Sequence, residues 1–208
     1  KAWPNLKKVG ENKTICLFFW EPSTRTKLSF EHAAKALGFN VLDFSPSFSS
    51  VQKGESLEDT LSTLLSLKID GIVMRHPENK ISEQIAKLLP KEVLFINAGD
   101  GNHAHPTQGL LDAYTISKLK NISDSKLAII GDVKHSRVIP SLFSGLKKMN
   151  CKQIKFFGPK ELIPSNFTPQ KNDITKNCLE GFDFLYVLRI QNERFLEDES
   201  LDLQNYVK

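Results

Sequence analysis

Cysteine is scarce in this sequence: Cys16, Cys151 and Cys178 are the only three among 208 residues. An odd count with no Cys-x-x-Cys pair excludes a disulfide framework and a standard zinc site, and reads as three buried thiols in a reducing compartment. Long apolar runs are also missing. The largest clusters, residues 15–20 and 182–188, are strand-sized against the ~20 residues of a membrane-spanning helix, so no membrane role is expected. Lys1-Ala2-Trp3-Pro4 has neither an initiator Met nor the apolar stretch of a secretory leader, which reads as part of a longer, cytoplasmic protein. No Lys/Arg-dense run interleaved with aromatics occurs, and the net charge is only +4, so a nucleic-acid partner is not expected either. Gly-x-Gly-x-x-Gly and Walker-A patterns are absent, which removes the two commonest nucleotide turns.

What is present is core-forming material in a regular order. Hydrophobic residues make up 40% and charged residues 25%, enough to exclude disorder. Short apolar runs predict strands over 13–19, 40–44, 71–75, 93–97, 126–130, 153–157 and 182–188. Helical patterns fill most of the intervals, over 25–37, 56–68, 81–89, 106–119, 136–149 and 174–179. Gly38 reads as a C-terminal cap, Ser56 with Asp59 as a capping box, and Pro106 as a first helical position. Strand-then-helix repetition predicts an α/β protein of mostly parallel sheets with helices on both faces. The polar stretch 121–125 divides it into two domains, 1–120 and 121–208.

Unusual polar residues stand immediately after the strands, where open α/β sheets bind ligands. They are Ser23-Thr24-Arg25-Thr26, Arg75-His76, His103 with His105, Arg137, and Arg189. The first group opens a helix, where free N–H groups and the helix dipole favour an anion, and its hydroxyls and guanidinium suit phosphate. An ordinary Ser23 cap beside a solvated Arg25 is the alternative. His105-Pro106-Thr107-Gln108 opens another helix, with His105 able to donate to a carbonyl and Gln108 able to hold an NH2 group. A capped helix with a structural histidine is the plainer reading. Arg75 ends a buried strand, which is costly without an anion. Lys53, in the Ser-rich loop 45–54, reads alone as a solvated lysine, and Arg137 and Arg189 singly as salt-bridge candidates. Asp100, Asp132 and His135 match no standard metal-ligand spacing.

Read together, these segments resemble the aspartate/ornithine carbamoyltransferases. Phe18-Phe19-Trp20-Glu21-Pro22-Ser23-Thr24-Arg25-Thr26 resembles that family's carbamoyl-phosphate motif, with Trp20 inserted where many relatives run from Phe to Glu. Val73-Met74-Arg75-His76-Pro77, Asn97-Ala98-Gly99-Asp100-Gly101 and His105-Pro106-Thr107-Gln108 follow in family order. Ser49-Ser50-Val51-Gln52-Lys53-Gly54-Glu55, Gly131-Asp132-Val133-Lys134-His135-Ser136-Arg137 and Leu188-Arg189-Ile190-Gln191-Asn192-Glu193-Arg194-Phe195 point to its aspartate branch.

The resemblance implies a two-domain carbamoyltransferase fold, its second domain incomplete here, that transfers the carbamoyl group of carbamoyl phosphate to L-aspartate in pyrimidine synthesis. It implies that Ser23, Thr24, Arg25 and Thr26 hold the phosphate, that Thr26, Arg75 and His105 contact the carbonyl oxygen, and that Gln108 contacts the amide. Arg137, Arg189 and Gln191 would take the carboxylates of aspartate. Ser49 (or Ser50, one residue on) and Lys53 would reach a neighbouring subunit's site in a homotrimer. No metal or cofactor is called for; a regulatory subunit or a dihydroorotase is a candidate partner. Ornithine as the amine substrate, or an inactive scaffold, are the rival readings. The family's His-Pro-Leu-Pro loop and closing helix lie beyond the residues in hand.

Overall fold

In the computed structural model, which describes residues 8–44, 54–167 and 176–191, strand and helix alternate as the pattern predicts. The chain divides into two units, Lys1–His105 and Pro106–Lys208. The first contains β1 (Thr14–Phe19), α1 (Thr24–Ala36), β2 (Asn40–Phe44), α2 (Leu57–Ser66), β3 (Gly71–His76), α3 (Ile81–Leu88) and β4 (Leu94–Asp100). Its strands form one parallel sheet in the order β2-β1-β3-β4.

The near-continuous apolar run of β1 is explained by burial on both faces. Ile15, Leu17 and Phe19 point to one side with Ala34 of α1, Val73 and Ala98. Cys16 and Phe18 point to the other, against Leu61 and Leu64 of α2 and Ile81 and Ile85 of α3. Local signals set the helix ends. After Leu37 the N–H of Gly38 bonds to Lys35 and that of Phe39 to Ala34, a left-handed stop that Gly38 adopts at φ 88°. Ser56 and Asp59 form the expected reciprocal capping box.

The fourth strand runs further than predicted. Residues 98–105 read as a Gly-rich loop, yet Ala98, Gly99 and Asp100 remain in β4. A register shift against β3 between Met74 and His76 absorbs the irregularity, and Gly99 supplies the φ of 123° that it needs. A tight turn then closes through the Asp100–Ala104 bridge.

The second unit contains α4 (Pro106–Leu119), β5 (Lys126–Ile130), α5 (Val138–Lys148), β6 (Gln153–Phe157), α6 (Lys176–Leu179) and β7 (Phe184–Val187). Its parallel sheet has the order β6-β5-β7. One core joins Ala113 and Ile116 of α4 to Leu127 and Ile129 of β5 and to Ile139, Leu142 and Leu146 of α5. Helix α4 packs on α5 in the second unit. Gly109 permits this: a Cβ there would stand 2.8 Å from the Leu142 amide nitrogen, so glycine lets α4 lie close on α5. Helix α5 begins at Val138, two residues later than predicted, because residues 131–137 are drawn into a loop around Asp132.

The cysteines are free thiols, Cys16 buried and Cys151 and Cys178 only half-buried. Burial, reinforced by Asp43, pushes the Cys16 thiol up to about 12, which makes it inert as a nucleophile. No helix among the described residues is long and apolar enough to cross a membrane.

Candidate functional site

The first unit gathers its polar residues at one place, where the strand order reverses on either side of β1. Chain continuing from β1 turns through Pro22 and starts α1 with Ser23 at the cap position. Ser23 makes no side-chain capping bond, and no acidic residue occupies the first turn. The plain N-cap reading of Ser23 is therefore not what the structure adopts. A helix start that Ser23 does not cap, carrying the hydroxyls of Ser23, Thr24 and Thr26 and the Arg25 guanidinium, is chemically disposed to take an oxyanion.

Arg75, at the end of β3, is 8% exposed. Its Nε lies 2.6 Å from Glu21 Oε1, an ion pair that compensates the buried charge. Its Nη1 reaches three groups at once: Thr26 Oγ1 at 3.4 Å, His105 Nε2 at 3.4 Å and the Ala98 carbonyl at 3.5 Å. A guanidinium can only donate, so in this contact His105 Nε2 accepts and the ring hydrogen sits on Nδ1. Thr26 of α1, Arg75 at the end of β3 and His105 in the segment after β4 are thus brought into one cluster. His103 is paired with Asp100 at 3.2 Å.

Glu21 is a member of this cluster that sequence reasoning did not single out, although its place inside the Phe18–Thr26 motif was a signal. Trp20 packs on Phe18 and Phe44, with centroids 5.7 and 6.1 Å away, and also covers the ring of His76 at 5.4 Å. The His76 Nδ1 accepts the Glu78 N–H at 3.1 Å. Burial pulls His76 below its ordinary 6.5, and outweighs the upward pull of Glu78, Glu21 and Asp100. The unfolded chain therefore takes up this proton at a higher pH than the folded one. His76 contributes fully above about 6.5, and stability is lost as pH falls through the lower folded value. We expect the melting temperature of His76→Asn, which keeps an acceptor for Glu78, to fall less than the parent's between about pH 7 and pH 5. Equal falls would show that His76 does not titrate in this way.

In the second unit the strand order reverses between β5 and β7, and Arg137, Arg189 and Gln191 stand on the segments that follow these strands. Gly131 follows β5 at φ 104°, with its N–H bonded to the Phe157 carbonyl. Asp132 is fully buried, and its Oδ1 accepts from the His135 backbone at 3.1 Å and contacts His135 Nδ1 at 2.8 Å. Its Oδ2 accepts the Gln191 N–H at 3.0 Å. One carboxylate thereby joins the loop before Arg137 to the segment after β7. Asp132 enters the sequence reading as a poor metal-ligand candidate and as a member of the Gly131–Arg137 motif, and its long-range bond to Gln191 has no sequence signal.

A cavity of about 400 Å³ opens here, lined among others by Ser136, Val138, Tyr186, Leu188, Arg189 and Gln191. Gln191 is 8% exposed and Arg189 is exposed. Arg137 occupies the cap position of α5, next to the cavity-lining Ser136. The pocket thus combines an apolar wall with a guanidinium and an amide, a set suited to a small carboxylate. Gln108 lies in the first turn of α4 and donates from Nε2 to Asp112 at 2.9 Å. Ser49, Ser50 and Lys53 lie outside the described residues.

These features define a parallel α/β protein in which each sheet carries a cluster of cationic and polar side chains at the reversal of its strand order. Residues 2–118 match the family model described as the carbamoyl-P binding domain of aspartate/ornithine carbamoyltransferase. The chain is 42% identical over 211 residues to the aspartate carbamoyltransferase catalytic subunit of Xanthomonas campestris pv. campestris (strain B100), covering 96% of this chain and 65% of that protein. Against the corresponding subunit of Stenotrophomonas maltophilia (strain R551-3) it is 41% identical, covering 97% and 66%. In fold it is similar to aspartate transcarbamoylase from Trypanosoma cruzi in complex with carbamoyl phosphate and aspartate, with a TM-score of 0.83 at 32% identity, covering 97% of this chain and 67% of that one. This chain belongs to the aspartate/ornithine carbamoyltransferase family. It spans about 65% of the length of the Xanthomonas relative.

Proposed function

We propose that this protein is an aspartate carbamoyltransferase that transfers the carbamoyl group of carbamoyl phosphate to the amine of L-aspartate, yielding N-carbamoyl-L-aspartate and phosphate for pyrimidine synthesis. The observation that carries the reading is the meeting of Arg75 Nη1 with Thr26 Oγ1 and His105 Nε2, each at 3.4 Å. Attack of the neutral amine on the carbamoyl carbon forms a C–N bond and drives negative charge onto the carbonyl oxygen. The Arg75 guanidinium and the Thr26 hydroxyl donate to that oxygen, joined by His105 once its Nε2 carries the ring hydrogen in place of its contact with Arg75. Such donors lower the barrier because the protein, unlike water, need not reorganise to meet the charge. The C–O bond to phosphate then breaks, the leaving phosphate takes a proton from the amine, and Ser23, Thr24, Arg25 and Thr26 with the α1 N-terminus hold the product anion.

Gln108 contacts the carbamoyl amide in this reading, and Arg137, Arg189 and Gln191 hold the aspartate carboxylates. The T. cruzi relative, crystallised with carbamoyl phosphate and aspartate, supports this pair of substrates. Ser49 and Lys53 serve the site of a neighbouring subunit in a cytoplasmic homotrimer, whose mass light scattering on the full chain would read. Turnover is tested by supplying the full chain with carbamoyl phosphate and either aspartate or ornithine, and measuring phosphate and ureido product. We expect product with aspartate alone. Product with ornithine alone reassigns the amine substrate, and none with either favours a scaffold.

A further inference from the structure

Asp112, one turn along α4 from Gln108, holds two side chains from opposite sides. Its Oδ1 accepts from Gln108 Nε2 at 2.9 Å, and its Oδ2 accepts the Tyr186 hydroxyl hydrogen at 2.8 Å. Gln108, Asp112 and Tyr186 are all half-buried. Tyr186 belongs to β7, and β7 leads directly into Arg189 and Gln191 along the wall of the 400 Å³ cavity.

A Gln and an Asp four residues apart on a helix often pair for no reason beyond local stability. Three features distinguish this pair. The second carboxylate oxygen is claimed by a strand 74 residues away in sequence. Burial first, and then the Asp112 carboxylate, push the Tyr186 hydroxyl upward, so it stays a neutral donor across the physiological range. An ionised carboxylate can only accept, which settles the orientation of the Gln108 amide: Nε2 faces Asp112, and Oε1 is the atom left to meet a ligand. An NH2 group has only hydrogens to give, and an amide turned the other way would meet it donor to donor.

We propose that Asp112 is a positioning residue: together with Tyr186 it locks Gln108 with its carbonyl oxygen presented to the carbamoyl NH2, and ties that setting to the strand bearing the amino-acid-binding residues. The inference rests on the reading of Gln108 as the carbamoyl-amide contact. Its consequence is chemical selectivity, because the lock matters only for a ligand that carries N–H hydrogens.

Acetyl phosphate, in which a methyl replaces the NH2 of carbamoyl phosphate, separates this from a general structural role. We expect the parent full chain to bind carbamoyl phosphate more tightly than acetyl phosphate by titration calorimetry. Asp112→Ala should weaken carbamoyl phosphate by about tenfold, the scale of one hydrogen bond, and leave acetyl phosphate unchanged. Tyr186→Phe, which keeps the ring and tests the lock even if Asp112→Ala folds poorly, should shift the preference the same way by about threefold. Adding Gln108→Ala to Asp112→Ala should cost nothing more. Equal weakening of both ligands, or an unchanged preference in both variants, would overturn the lock while leaving the proposed activity standing. A parent chain that binds no carbamoyl phosphate at all would overturn the activity, and the lock with it.

Discussion

Replacing Arg75 with alanine in the full chain is expected to lower kcat by on the order of 10²–10³-fold, the usual cost of losing a donor to a developing oxyanion. The guanidinium is buried at the end of β3, and a single nitrogen joins three groups that come from β1's helix, β4 and the turn after it. No shorter side chain spans that set. Arg75→Lys keeps the charge but offers a flexible point donor in place of a rigid fork, so we expect it to recover little. Alanine also leaves the half-buried Glu21 carboxylate without its 2.6 Å partner, so a thermal melt must accompany the kinetics. A variant that melts like the parent and retains kcat within about threefold would remove Arg75 from the oxyanion role.

The second large effect is expected at Gly131, which touches no proposed substrate group. A Cβ there would stand 2.3 Å from the Leu188 carbonyl oxygen, and the φ of 104° is one that L side chains rarely adopt. Backbone cannot rotate aside as a side chain tip does, so Gly131→Ala must displace the end of β7 together with Arg189. A displacement of about 1 Å in a binding group can cost on the order of 10²-fold in rate, which we expect in kcat/KM for aspartate. Affinity for inorganic phosphate, which the proposed function assigns to residues of the first unit, should not change. Loss of both together would mean that the substitution unfolds the chain instead of moving the pocket.

These two residues differ in how they could be read. Arg75 is conspicuous in sequence, because a cation at the end of Ile72-Val73-Met74 contradicts the burial of that run. Gly131 reads only as the first residue of the Gly131–Arg137 motif. Its importance lies in a carbonyl 57 residues away, and no local pattern encodes that approach. Asp132 and Asp112 are alike in this respect: the long-range partner of each comes from β7 or the residues just after it. The overrun of β4 has the same origin, since only pairing with the shifted register of β3 holds residues 98–100 in the strand.

The sequence by itself determined the alternation of strands and helices, the caps, the double-sided burial of β1 and the residue types able to hold two anions. Those properties rest on periodicity and on chemistry carried within a few residues, which a linear reading can see. Only the tertiary structure decided that β3 lies beside β1 and β7 beside β5. Neighbouring strands are chosen by packing across the whole sheet, and that choice creates the two reversals of strand order. Strand order alone converts residues 49 positions apart, Thr26 and Arg75, into one cluster.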